Sequence, residues 1–146
     1  MKDDVTTTLM KKAEKEPYAR MLDMRVIEAG AGSSRVEMTL TPRMENIFGM
    51  AHGGAVFSLI DEAFEMASNS HGTMAVALNM NVTYIAAART GDVLRAEARE
   101  DARTRRTAHY DITVHNGDGG LVATCSALVY RKDKSLPFSD PPREID

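Results

Sequence analysis

Only one stretch of this chain carries a long helical stripe, and almost everything after it alternates with the period of a strand. Val56, Leu59, Ile60, Ala63, Phe64 and Ala67 recur at spacings of three and four, which gathers them on one covered face of a helix. Asn69-Ser70-His71-Gly72 closes the stripe, with Gly72 suited to a left-handed terminus and His71 placed near the negative end of the dipole. A helix is therefore predicted from about Gly53 to about Ser70, roughly 27 Å long at ~1.5 Å per residue. Ahead of it, residues 24–29 alternate loosely. After the turn Gly30-Ala31-Gly32, residues 35–41 alternate cleanly, with Val36, Met38 and Leu40 on one face and Pro42 as the stop. Behind it, strand periods run through Val76 to Tyr84, Leu94 to Arg99, Tyr110 to Val114 and Leu121 to Tyr130, the last two joined by Asn116-Gly117-Asp118-Gly119-Gly120. Two strands, one helix and four strands in meander define an α+β layer fold whose sheet must wrap the helix. The absence of βαβ alternation disfavours a Rossmann or P-loop arrangement.

At 146 residues the chain is long enough for a single core and too short for two. The pattern divides it into an N-terminal polar arm or short helix (1–22), one domain (23–132) and a polar C-terminal tail (133–146). A net charge of −3 and a pI near 5.8 leave no electrostatic footprint for nucleic acid or an anionic membrane. The single cysteine, Cys125, forms no internal disulfide, and the four histidines show no i, i+4 pairing of the zinc-gripping kind. A reducing compartment and no metal are expected. The polar start lacks the apolar core of a signal peptide or a membrane span, so a soluble cytoplasmic protein is expected.

The chemistry-bearing motif is His52-Gly53-Gly54 at the mouth of the helix, with Asp61 eight positions beyond Gly53. An amide donor at a helix N-terminus and an acid on the same helix point to acyl chemistry, because a tetrahedral intermediate places charge on an oxygen. Asn46-x-x-Gly49-x-x-His52-Gly53-Gly54, followed by Asp61-x-Ala63-Phe64, Asn69-Ser70, Asn79-Met80-Asn81-Val82-Thr83-Tyr84 and Arg89-Thr90-Gly91-Asp92, resembles the PaaI-type branch of the hotdog-fold acyl-CoA thioesterases. The resemblance covers roughly residues 35 to 131. It implies a five- to six-stranded antiparallel sheet curled around one long central helix, assembled as a homodimer and often a homotetramer, and hydrolysis of an acyl-CoA to a free acid and coenzyme A. No separate cofactor is implied, since coenzyme A is part of the substrate. In that family the acid at the Asp61 position attacks the thioester or activates a water. The Gly53 amide polarises the carbonyl, and Asn46 helps orient the nucleophile or carbonyl.

Helix geometry adds a constraint of its own. Eight residues span ~12 Å along a helix axis, against the ~3 Å contacts that both groups need with one carbonyl. If both act, the Asp61 of one chain meets the Gly53 of another, which demands a two-fold dimer with antiparallel central helices and two equivalent sites. Asp61 lies off the main stripe, with Phe57, Glu65 and Ser68 as axial neighbours. A carboxylate at such a border is expected to have a raised pKa.

Other candidates have plainer readings beside the functional one. Asn46 also suits an Asx-type turn before Gly49. His52 either transfers a proton or orients the Gly53 turn. Gly54 permits close approach of a ligand to the backbone. Tyr84 matches a family position near the pantetheine path, or is a buried cross-strand aromatic. Arg89, Arg103, Arg105 and Arg106 suit the phosphates of coenzyme A, or are solvated turn residues. Glu62 and Glu65 are read as a solvated or interface face. Where relatives carry Ser or Thr to hold water, this chain has Ala77, with Thr73, Ser68 or Asn79 as substitutes. Methionines 24, 38, 50, 66 and 80 suggest an adaptable apolar pocket. The competing readings are a non-catalytic acyl-CoA binding module, kept open by Ala77, and a hotdog hydratase or dehydratase, for which His52 is the only candidate base.

Overall fold

The computed structural model describes residues 4–138. Six strands, β1 (Arg25–Gly30), β2 (Ser33–Thr39), β3 (Thr73–Tyr84), β4 (Val93–Arg103), β5 (Thr107–Asn116) and β6 (Leu121–Ser135), form one antiparallel sheet in the order β1-β2-β4-β5-β6-β3. Its inner face is built from alternate residues such as Val36 and Met38, Leu94, Ala96 and Ala98, Tyr110 and Ile112, and Cys125, Ala127 and Val129, all buried. The third helix, α3 (Gly53–Asn69), lies in the resulting hollow and touches every strand. Small residues on both surfaces, Ala63 and Ala67 on the helix and Ala96, Ala98, Ala123 and Ala127 on the sheet, share the core and allow the layers to pack closely. The hotdog architecture expected from the sequence is the architecture found.

The stripe of α3 is wider than the spacing of its apolar residues indicates. Ser58, Glu62, Ser68 and Asn69 are buried along with Leu59, Ile60, Phe64 and Met66, so that from Ala55 to the helix end only Phe57, Asp61 and Glu65 stay exposed. These three lie at i, i+4 and i+8, a single line along an otherwise wrapped helix.

Strand order departs from a four-strand meander. β4, β5 and β6 do form one, but β3 crosses to the far edge to pair with β6, and β4 pairs with β2. The link between β3 and β4 runs over the helix mouth, where the Ile85 amide donates to the Val122 carbonyl and the Ala51 amide to that of Ala88. Alternation says which face of a strand is covered and nothing about its neighbour. β3, an edge strand, carries the exposed Leu78 and Tyr84, and the exposed Ile85 follows directly. Within β3 a register shift between Ala77 and Asn79 leaves Ala77, Leu78 and Asn79 all exposed.

Both ends of the domain extend further than the hydrophobic pattern suggests. The expected tail from 133 onward begins as strand: Ser135 pairs with Thr73, and Leu136 is buried. Residues 139–146 of that tail lie outside the described residues. At the other end, α1 (Val5–Ala13) is capped by Asp4, whose Oδ1 accepts from the Thr7 amide at 2.8 Å, and buries Leu9 and Ala13 against Met66 and Leu136. α2 (Pro17–Met21) opens with proline at its first turn and is tied to α3 by a 2.8 Å hydrogen bond between the Tyr18 and Ser58 hydroxyls.

The end of α3 is stapled by Asn69. Its Nδ2 donates to the Glu65 and Ala75 carbonyls at 2.9 and 3.2 Å, and its Oδ1 accepts from the Ala75 amide at 2.9 Å. Asn69→Ala would strand the buried polar groups of Ala75, so a loss of about 2–4 kcal/mol in urea unfolding is expected. Gly72 has the left-handed φ of 86°. His71 serves a different purpose from a cation at the helix dipole. Burial, against a 3.0 Å hydrogen bond to Glu100, pushes its pKa down, which disfavours the charged form.

Candidate functional site

The approach to α3 is a rigid turn. The Asn46 side-chain oxygen accepts from the amides of Phe48 and Met50 at 2.9 and 3.1 Å, Gly49 takes a φ of 73°, and Glu45 bridges to Ala51. The Asx-type reading of Asn46 is thus realised, and with both lone pairs of that oxygen used, only its amide hydrogens remain to address a ligand. Ile47 and Phe48 project from this turn at 92% and 73% exposure.

His52 is the N-cap of α3: its Nδ1 accepts from the Gly54 amide at 2.8 Å, which places the ring proton on Nε2. A Cβ on residue 54 would stand 3.0 Å from that Nδ1, so glycine lets the cap close. The amides of Ala55 and Val56 reach the His52 carbonyl. Among the described residues the Gly53 amide is left with no acceptor. Its carbonyl is fixed by the Tyr84 hydroxyl, which donates at 2.9 Å. Tyr84 is therefore no buried cross-strand aromatic: it is 51% exposed, on the edge strand, with its ring against Gly53. Asn46, Met50, Gly53, Val56 and Tyr84 line an open cleft of about 310 Å³ whose far wall is residues 85–88 and Val122.

Asp61 does not reach that cleft within its own chain; it sits ~12 Å further along α3, on the exposed line between Phe57 and Glu65. Desolvation by the surrounding protein, and then the charge of Glu16, push its pKa up.

The arginines divide. Arg89 directly follows the cleft wall, and its amide donates to Asp92 at 2.9 Å. Arg103 approaches Glu100 at 4.0 Å, and Arg105 and Arg106 pair with Asp133 at 3.1 and 3.5 Å. These three stand by the Tyr130–Arg131 end of β6, about 30 Å along the strand from Val122 at ~3.3 Å per residue. They are not assembled with Gly53 and Tyr84 in one chain. Of the substitutes for a hydroxyl at Ala77, Ser68 is buried and donates to the Glu65 carbonyl, while the exposed Asn79 accepts from Asn81.

Sequence reading missed one feature. Glu62 is only 4% exposed and lies with Glu65 and with Glu16, the N-cap residue of α2, in a cluster whose carboxylate oxygens fall within 4.8 Å of one another. This corrects the solvated or interface placement of Glu62. A signal was present: Glu62 stands three residues after Leu59 and four before Met66, both on the covered side. Nothing marked Glu16, which arrives from a separate helix. Burial, then hydrogen bonds with Glu16 and Glu65, push Glu62 up to about 11. Desolvation of its carboxyl group by the surrounding protein, then the hydrogen bond with Glu16, pushes Glu65 up to about 8, although the residue as a whole is exposed. Glu16 comes down despite its own burial, through hydrogen bonds with the other two.

Residues 48–123 match the thioesterase superfamily family model. A protein of Archaeoglobus fulgidus is 40% identical over 117 residues, covering 80% of this chain and 76% of its own length. The acyl-coenzyme A thioesterase PaaI of Escherichia coli is 36% identical over 110 residues, 75% of this chain and 79% of its own. The solved structure of the E. coli PaaI protein from the phenylacetic acid degradation operon superposes with a TM-score of 0.84 at 32% identity, over 86% of this chain and 91% of that one. A Streptococcus mutans protein solved bound to acetyl CoA superposes with a TM-score of 0.72 at 28% identity, over 75% and 88% of the two chains. A curled six-stranded sheet around α3, the His52-Gly53-Gly54 mouth and these likenesses lead to one assignment: the chain belongs to the thioesterase superfamily, as a PaaI-type hotdog-fold thioester hydrolase.

Proposed function

We propose that this protein is an acyl-CoA thioesterase that works as a homodimer, with Asp61 of one protomer acting on a thioester carbonyl held by the Gly53 amide of the other. The observation that carries this reading is the pairing of an unpartnered amide at the mouth of α3 with an exposed acid ~12 Å away on the same helix. Two antiparallel α3 helices related by a two-fold axis bring each acid to the opposite amide and cover the exposed line Phe57, Asp61, Glu65. The exposed apolar groups Ile47, Phe48, Leu78 and Ile85 supply further surface for the same association.

Asp61 attacks the carbonyl carbon itself or takes a proton from water that attacks. Either route drives negative charge onto the carbonyl oxygen, where an oriented amide at a helix N-terminus stabilises it. Coenzyme A leaves as its thiolate; on the first route a water then cleaves the acyl anhydride formed with Asp61, and on either route the acyl group departs as the free acid while the proton from water neutralises the thiolate. The Asn46 amide hydrogens are positioned to orient the carbonyl or the acid, and Tyr84 holds the Gly53 peptide and borders the pantetheine path. His52 supports hydrolysis over hydration, since its Nδ1 is engaged in capping the helix. Among the candidate arginines, Arg89 beside the cleft is assigned to a coenzyme A phosphate, whereas Arg103, Arg105 and Arg106 are engaged with acidic partners elsewhere. The E. coli PaaI enzyme is named for acyl-coenzyme A hydrolysis, and the S. mutans relative carries acetyl CoA; the same ligand class is proposed here.

Thiol release from short, medium, long and aromatic acyl-CoAs is the direct test. Wild type should turn over at least one class far faster than Asp61→Asn does. Equal, background-level release by both proteins across the panel would replace catalysis with binding.

A further inference from the structure

We propose that Glu16, Glu62 and Glu65 form a binding site for one hard divalent cation of the Mn2+ to Ca2+ size, which ties the N-terminal helices to α3 beside Asp61. Three observations meet here. The carboxylates come from two separate elements, yet each offers an oxygen within 4.8 Å of the others. That spread matches oxygens bound to a common ion at ~2.2–2.4 Å each. Independently, Glu62 is 4% exposed and its Oε1 is sealed from solvent and receives no hydrogen bond, so that in its ionised form this oxygen needs a positive group to meet it. Finally, no Lys, Arg or His among the described residues forms a salt bridge with any of the three.

The donor set selects the ion class. Carboxylate oxygens suit hard cations and offer none of the nitrogen or sulfur that draws Zn2+. Three monodentate carboxylates fill half of a six-coordinate shell, the rest falling to water or to second oxygens of the same groups. An occupied site would fasten the start of α2 to α3 immediately next to the proposed acid, joining the Tyr18–Ser58 hydrogen bond in holding the arm down. Local spacing in the sequence carries no sign of such a site, because Glu16 and Glu62 are 46 residues apart.

The test uses the full chain freed of metal by chelation. Thermal unfolding is followed with CaCl2, MnCl2, MgCl2 or ZnCl2 against NaCl of equal ionic strength, and bound Mn2+ is counted by electron paramagnetic resonance. At a hundredfold excess over Kd, Ca2+ or Mn2+ is expected to raise Tm by about 5 °C or more, at one Mn2+ per chain. Glu16→Gln should abolish the rise and weaken Mn2+ binding at least ~10-fold while leaving the domain folded, since Glu16 lies outside the sheet and α3. Glu62→Gln should do the same, and Glu14→Gln, a nearby surface carboxylate, should not. A wild-type Tm unmoved by all four metals overturns the proposal and leaves protons as what holds the carboxyls together. Mn2+ bound equally well by Glu16→Gln overturns it too. These readouts are independent of thioesterase activity.

Discussion

Asp61→Asn and Gly53→Pro proteins should each be nearly inactive alone and should regain about half of wild-type activity as a purified heterodimer, because one of its two sites is intact. Asp61→Asn removes the nucleophile or base, with an expected loss of at least ~10²–10⁴ in kcat. Gly53→Pro removes a single hydrogen-bond donor, worth about 10²–10³ when that donor faces an oxyanion. Proline is tolerated at the first position of a helix, where its missing amide costs no intrahelical bond. His52, at φ −63° and ψ 135°, already has the conformation that suits a residue preceding proline. Any Cβ at position 53 would press on Tyr84 at 3.3 Å. Gly53→Ala is therefore the matched control: it crowds the ring equally but keeps the amide, and should retain most activity. Coexpression with two different tags isolates the heterodimer. Failure to recover activity in it would rule out sites shared between protomers, even if both single variants are dead.

Phe64→Ala is expected to be the most damaging core substitution, lowering stability by about 3–5 kcal/mol and Tm by roughly 10–20 °C at fixed protein concentration. Phe64 is 1% exposed, midway along α3, with its ring 5.7 Å from that of Tyr110 in an edge arrangement. Tyr110, itself fully buried, is held by its hydroxyl to Glu100 at 3.0 Å. It cannot swing in to fill the space without losing that bond. With that neighbour held, the cost should fall in the upper part of the usual range. Phe64→Leu, which retains most of the volume, should lose much less. Similar Tm values for the two variants would mean that the hollow around α3 is more plastic than its packing indicates.

How far a sequence can be read here depends on how many elements take part in each feature. The span of α3 was legible because one segment supplies both the apolar stripe and its cap, and helix ends at Gly53 and Asn69 agree closely with the expectation. All six strands appear near their expected places for the same reason, as each needs only a local alternation. The width of the buried face of α3 was less legible. Glu62 and Ser58 read as polar, and only a sheet that reaches around the helix makes them interior. Strand order was not legible at all, since β3 has a free choice of neighbours until the sheet closes on α3. The continuation of β6 to Ser135 was hidden by charged residues, which are compatible with a strand whose outer side faces water.

The candidate motif shows the same division. From the sequence alone came its proposed members, Asn46, His52, Gly53 and Asp61, and the requirement that acid and amide, if both act, serve different chains, because helical rise is a property of one continuous segment. What each polar atom is free to do was settled only by tertiary contacts. The Asn46 oxygen is committed to its turn, the Gly54 amide to His52 and the Gly53 carbonyl to Tyr84, while the Gly53 amide is left over. Glu16, Glu62 and Glu65 became neighbours only when the N-terminal helices settled on α3. A periodic pattern records which side of an element is covered. It holds no record of which distant element does the covering, and the distances, charges and free hydrogen-bonding groups of this protein depend on that.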